Sequence, residues 1–223
     1  MRKVILALLA LAVCAVLMGC ASKTEFSSTQ ATAYPSENTM VYNSNVNKVW
    51  DAAIKSIGEK FFVLDNIQKD SKIITLSFGA DNPDNYIDCG RVTVDTKGMS
   101  NSGTYSYAGA QAMATYYVAD PGMPHPQPVT RTARLEGKAN IVFAEEGKDK
   151  TRVTVNARYV LAVKFEGQRL VVGAWTSYLM PTSNSRAASF NTGQEGTLEG
   201  TPLRCVTRYT LEKTILEGIK ERL

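Results

Sequence analysis

The chain has 223 residues, with 25 Lys and Arg against 21 Asp and Glu and a formal charge of +4. A balance this near neutral gives no case for nucleic-acid binding or a polybasic membrane patch. One histidine and four cysteines rule out a His-rich metal centre, and any triad would depend on that single imidazole.

Arg2 and Lys3 form a basic start, and Val4 to Met18 is an apolar run. A charged start, an apolar core of this length and a small residue before the cut describe a secretory signal over residues 1–19 rather than a membrane span. The ending Leu17-Met18-Gly19-Cys20 resembles the lipobox of bacterial lipoproteins. The resemblance implies cleavage before Cys20, a diacylglycerol thioether on its sulfur and a third, palmitate-like chain on the new amino group. An ordinary secretory signal with a cysteine at the cut is the other reading. Ala21 follows the lipidated cysteine, and in enterobacteria-like sorting a residue other than Asp there implies the outer membrane, facing the periplasm. Removing residues 1–19 takes away two cations and no acid. No second apolar run of about 18 residues remains, so acyl chains are the expected membrane partner.

Ala21 to Asn38 is rich in Ser, Thr, Ala and Gln without apolar period. It reads, with Cys20, as a lipidated flexible tether over residues 20–38, holding the domain roughly 25 Å from the membrane. The folded domain is expected over residues 39–223. Met40 to Tyr42 suggests a short strand, and Ser44 or Asn45 an N-cap. Val46, Val49, Trp50, Ala53, Ile54 and Ile57 then recur at helical spacing, which predicts an amphipathic helix ending near Lys60. Phe61 to Ile67 and Ile73 to Phe78 read as strands around a polar turn. Tyr86 to Thr96 reads as one more, with Gly90 marking a bulge that exchanges its faces.

Residues 97–130 are rich in Gly, Ser, Ala, Tyr and then Pro, and read as a mobile insertion. Tyr105, Tyr107, Tyr116 and Tyr117 make it a candidate lid or partner-binding loop. The plainer reading is a connection between two strands. Leu135 to Ala144, Thr151 to Phe165 and Leu170 to Tyr178 predict an antiparallel meander, with Gly167-Gln168 as the second turn. Pro181 to Pro202 is polar, with one short strand expected near Ala188 to Asn191. Leu211, Ile215, Leu216, Ile219 and Leu223 share one face of a closing helix over Thr207 to Leu223.

The order strand, helix, five or six strands, helix predicts an α+β domain in which an antiparallel sheet packs on the two amphipathic helices. This is helix-grip-like. Val46 to Ala53, Phe61 to Asp65 and Lys72 to Thr75 resemble the repeated domain of BamC-type outer-membrane lipoproteins, a likeness of core positions that speaks for fold more than function.

Cys14 leaves with the signal and Cys20 is lipidated, so Cys89 and Cys205 remain. Two thiols in an oxidising compartment read as one disulfide, with two separate buried thiols as the alternative. Chemistry is sparse. His125 lies between Pro124 and Pro126 in the insertion. Asp81, Asp84 and Asp88 lack the alternate spacing of a calcium loop. There is no phosphate-binding glycine loop and no nucleophile elbow, so no catalytic residue, metal or cofactor is expected. The expected function is a non-enzymatic envelope lipoprotein that binds a protein partner as accessory or scaffold. The alternative is a module for a hydrophobic ligand, lipid or cell-wall fragment, and an envelope hydrolase ranks behind both.

Overall fold

The computed structural model describes residues 22–60, 62–98, 100–120, 123, 125–172 and 177–223. The signal peptide and Cys20 lie outside the described residues. In chain order come β1 (Lys23–Thr29), β2 (Thr39–Tyr42), α1 (Val46–Gly58), β3 (Val63–Gln68) and β4 (Ile73–Ala80). After a 3-10 turn at Pro83–Asn85 follow β5 (Ile87–Asp88), β6 (Arg91–Lys97), β7 (Gly103–Ala108) and β8 (Met113–Val118). Then come β9 (Gln127–Glu145), β10 (Thr151–Val172), β11 (Ser177–Asn191), β12 (Gly196–Thr197), β13 (Arg204–Thr207) and α2 (Thr210–Lys220).

β9 and β10 set the frame. They pair antiparallel from Thr151↔Glu145 to Glu166↔Thr130. On β10 the inward set is Val153, Val155, Ala157, Tyr159, Leu161 and Val163, all buried, while Arg152, Asn156 and Arg158 face water. This is the period-two pattern of a sheet with one wet face. The sheet order is β11-β10-β9-β4-β3, with β2 beside the start of β10 and β8 beside the start of β9. A smaller sheet, β1-β6-β7, and a short one, β12-β13-β5, complete the fold.

Two helices cover the first half of the inward face. Asn45 caps α1 by accepting from the Lys48 N–H at 3.1 Å, and Val49, Trp50, Ala53 and Ile57 go into the core. On α2, Leu211, Ile215, Leu216 and Ile219 do the same. The helices cross closely at Gly218, where an added Cβ would lie 2.4 Å from the Ser56 Oγ. Glu212 is fully buried beneath α2 and accepts from the Tyr159 hydroxyl at 2.8 Å and the Thr192 hydroxyl at 2.7 Å. A buried carboxylate needs such donors, and these pin the closing helix to the sheet.

The α+β helix-grip expectation is overturned. The described residues are 56% strand and 14% helix, a mostly antiparallel β fold. The reason is one of length. The 11 residues of α2 span about 16 Å, whereas the 22 of β10 span roughly 70 Å. Helices that short cannot be gripped by, or cover, a sheet that long. The second half of the inward face is covered by strands instead.

Those strands come from segments expected to be irregular. The tether over residues 20–38 contains β1, which pairs with β6 from Lys23↔Lys97 to Thr29↔Arg91. Tyr34 then donates to Asp88 Oδ2 at 3.1 Å, holding the rest of the segment on the body. The insertion over residues 97–130 contains β7 and β8, paired with β6 and β9. Gly167-Gln168 is not a turn, since β10 continues through it to Val172 and pairs with β11 from Arg158↔Asn191 to Val172↔Ser177. Gly90, at φ +69°, separates two strands in different sheets rather than forming a bulge in one. A side chain there would lie 2.0 Å from the Thr29 carbonyl oxygen.

Cys89 and Cys205 form a disulfide, both fully buried, across 116 residues. A loop of that length contributes roughly 4–5 kcal/mol in the chain-entropy model. It ties the short connection between β5 and β6 to β13.

Candidate functional site

On the inward face of the main sheet, the helices cover one half and the β1-β6-β7 sheet overhangs the other. A cleft of about 520 Å³ opens between the small sheet and the main one, in the range of small-molecule sites. Its floor is the continuation of the inward parity of β9 and β10, at Val129, Arg131 and Phe165. Tyr107 of β7 and Tyr116 of β8 form one wall, and Phe26 of β1 stands at the side. Arg186 of β11 and the loop from Leu198 to Leu203 close the other side.

The aromatic wall is ordered by ring packing. Tyr107 and Tyr116 stack at 5.7 Å with 13° between planes, and Phe26 meets Tyr116 edge-on at 6.2 Å. Tyr105 and Tyr117 make a second, tilted pair at 5.9 Å. All four tyrosines expected to be contacts of a mobile loop are thus partnered in strands. Tyr107 and Tyr116 are buried and face the cleft, while Tyr105 and Tyr117 are half-buried. Burial pushes the phenols of Tyr107 and Tyr116 up from their ordinary value.

The cations are the chemical feature of the site. Arg131 is 1% exposed. Its guanidinium donates to the Gln111 carbonyl at 2.7 Å and to the Gly109 carbonyl, and lies 5.5 Å from the centre of the Tyr107 ring. Burial lowers its pKa, with the Tyr107 and Tyr116 hydroxyls acting against this. Arg186 donates to the Gly200 carbonyl at 3.0 Å and lies 5.6 Å from the Phe165 ring. Neither forms a salt bridge among the described residues, and no acid lines the cleft. Two guanidiniums held by carbonyls and aromatic faces favour an anion beside them.

The other marked residues lie elsewhere. Asp84 and Asp88 face Arg208 at 3.3 and 3.9 Å, and that guanidinium lies 5.3 Å over Tyr34, an ion-pair cluster that fastens the N-terminal segment. Asp81 is 4.0 Å from Arg134. His125 is exposed, its Nδ1 2.8 Å from the Ser100 hydroxyl. Among the described residues, no group of three or more His, Cys, Asp and Glu could share a metal ion. Sequence reasoning missed Phe26, Arg131 and Arg186. Arg131 had a legible signal: counted back by twos from Leu135, it falls on the inward parity, where a cation is unusual.

No protein-family model matches the chain, and neither a curated protein nor a solved structure matches it significantly.

Proposed function

We propose that this chain is a lipid-anchored protein of the bacterial envelope whose folded part is a binding module rather than an enzyme. Its ligand is an anionic amphiphile, a lipid or cell-wall fragment with an apolar body and an acidic end. The observation that carries the reading is the buried Arg131, without a carboxylate partner among the described residues, on the floor of an aromatic cleft. An acidic ligand group would supply the missing counter-charge, and Phe26, Phe165 and the tyrosine stack would take the apolar body. The protein-binding scaffold is the other reading; Tyr107 and Tyr116, stacked and buried, are not free contacts for such a partner. Lipidation at Cys20 rests on the Leu17–Cys20 lipobox. Since β1 begins at Lys23, such an anchor would hold the domain against the bilayer, with Phe26 of the cleft six residues from the acylated cysteine.

The test is displacement of a fluorescent fatty acid from the purified protein. The wild type should bind it and release it to unlabelled fatty acid. Arg186→Ala should weaken binding about tenfold, the loss of one charge-assisted contact. Ser28→Trp, which fills the cleft from β1, should abolish it while leaving the circular dichroism unchanged. Equal binding by all three proteins, or none by the wild type, would overturn the proposal.

A further inference from the structure

The pairing of β10 with β9 ends at Glu166↔Thr130, but the pairing of β10 with β11 runs on to Val172↔Ser177. Gly167 still lies against Val129 and Pro128 of β9, and the Leu170 N–H donates to Asp120, but the outer part of the ladder, opposite Ser177–Met180, projects as a two-stranded arm. The outer part of this arm is apolar on both faces. Leu170 and Leu179 face each other on one side, and Val171 and Tyr178 on the other, next to Met180. Val172, Tyr178, Leu179 and Met180 are 71%, 54%, 46% and 43% exposed. Between Arg169 and Arg186 no residue is charged.

We infer that this arm dips into a lipid bilayer. A protein partner needs one apolar face, whereas a bilayer surrounds an inserted element on every side, so apolarity on both faces selects the lipid. The depth fits: the rise from Leu170 to Val172 is about 7 Å, within the roughly 5–10 Å of the headgroup and acyl boundary. Arg169, exposed at the base of that stretch, stands at the water side. The position fits as well. Thr24 Oγ1 accepts from the Ala119 N–H at 2.7 Å, and the neighbouring Asp120 carboxylate accepts from the Leu170 N–H at 3.3 Å. The described chain thus begins, at Ser22, at the end of the molecule from which the arm leaves. An acyl anchor at Cys20, two residues before Ser22, would reach the bilayer from that same end.

The experiment uses the full chain reconstituted in vesicles of phosphatidylethanolamine and phosphatidylglycerol with brominated acyl chains. One variant carries Leu179→Trp. The other carries Ile67→Trp, an exposed site on β3 near the opposite end of the sheet. After subtraction of the native tryptophan signal, Leu179→Trp should be quenched several-fold more strongly than Ile67→Trp. Equal, weak quenching of both would overturn the inference. So would a blue shift of Leu179→Trp that ignores bromine and disappears on dilution, which would assign the arm to a second copy of the chain.

Discussion

Tyr42, Tyr107, Tyr116 and Tyr159 are all buried, and for each the desolvation of the phenolate is the leading cause of a raised pKa. For Tyr159 the nearby Glu212 carboxylate adds to the shift. An unfolded tyrosine ionises near pH 10. With the folded values above that, the fold binds protons that the unfolded chain releases. The stability from keeping these phenols neutral is complete below about pH 10 and is lost as pH rises beyond it. An alkaline absorbance titration should therefore show these four buried phenols ionising only as the circular dichroism collapses. A single smooth ionisation of all ten tyrosines near pH 10, with the fold intact, would contradict this placement. Little of this was legible residue by residue. The tyrosines of residues 97–130 looked like surface contacts because Gly, Ser and Thr surround them, and hydropathy does not register a ring buried against another ring. Phe26 stood alone in a Ser- and Thr-rich stretch and carried no period at all.

At the scale of elements, the disulfide is the strongest link between distant parts of the chain. It joins the junction of β5 and β6 to β13, next to the turn where Gly109 donates to the Gly90 carbonyl at 2.7 Å. Cys89→Ala and Cys205→Ala should each lower stability by about 4 kcal/mol in denaturant melts, and the double variant by no more than either single one. Additive losses would argue that the two sulfurs act separately. The bridge followed from parity and compartment, and α1 from helical spacing and the Asn45 cap, because both signals are local or countable. β1, β7 and β8 were missed for a shared reason. Lys23 to Thr29 and Gly103 to Ala108 have almost no apolar alternation, and their strand state is set by the neighbours they pair with. Gly167 was read as a turn because glycine punctuates strands. Here it lies opposite Thr182 inside one long ladder.

For the molecule as a whole, the meander of long strands was legible and the balance of layers was not. Sequence order counted two amphipathic helices and gave them the whole inward face, but their length covers only about half of it. The uncovered half is what makes the cleft. Its floor continues the core parity of β9 and β10, its roof is the small sheet, and two guanidiniums line it where hydrophobic packing would otherwise close it. The arm of β10 and β11 leaves from the end where the described chain begins, which would bring an anchor, an apolar hairpin and an amphiphile cleft close to one membrane surface. The account stands most directly on what the cleft holds. Native mass spectrometry of the protein purified from the cells that make it, without detergent exchange, measures that. The account predicts a stoichiometric adduct with an acidic group and an acyl or similarly apolar body, lost in the Ser28→Trp variant. A bare protein mass, or an adduct equally present in Ser28→Trp, would contradict it.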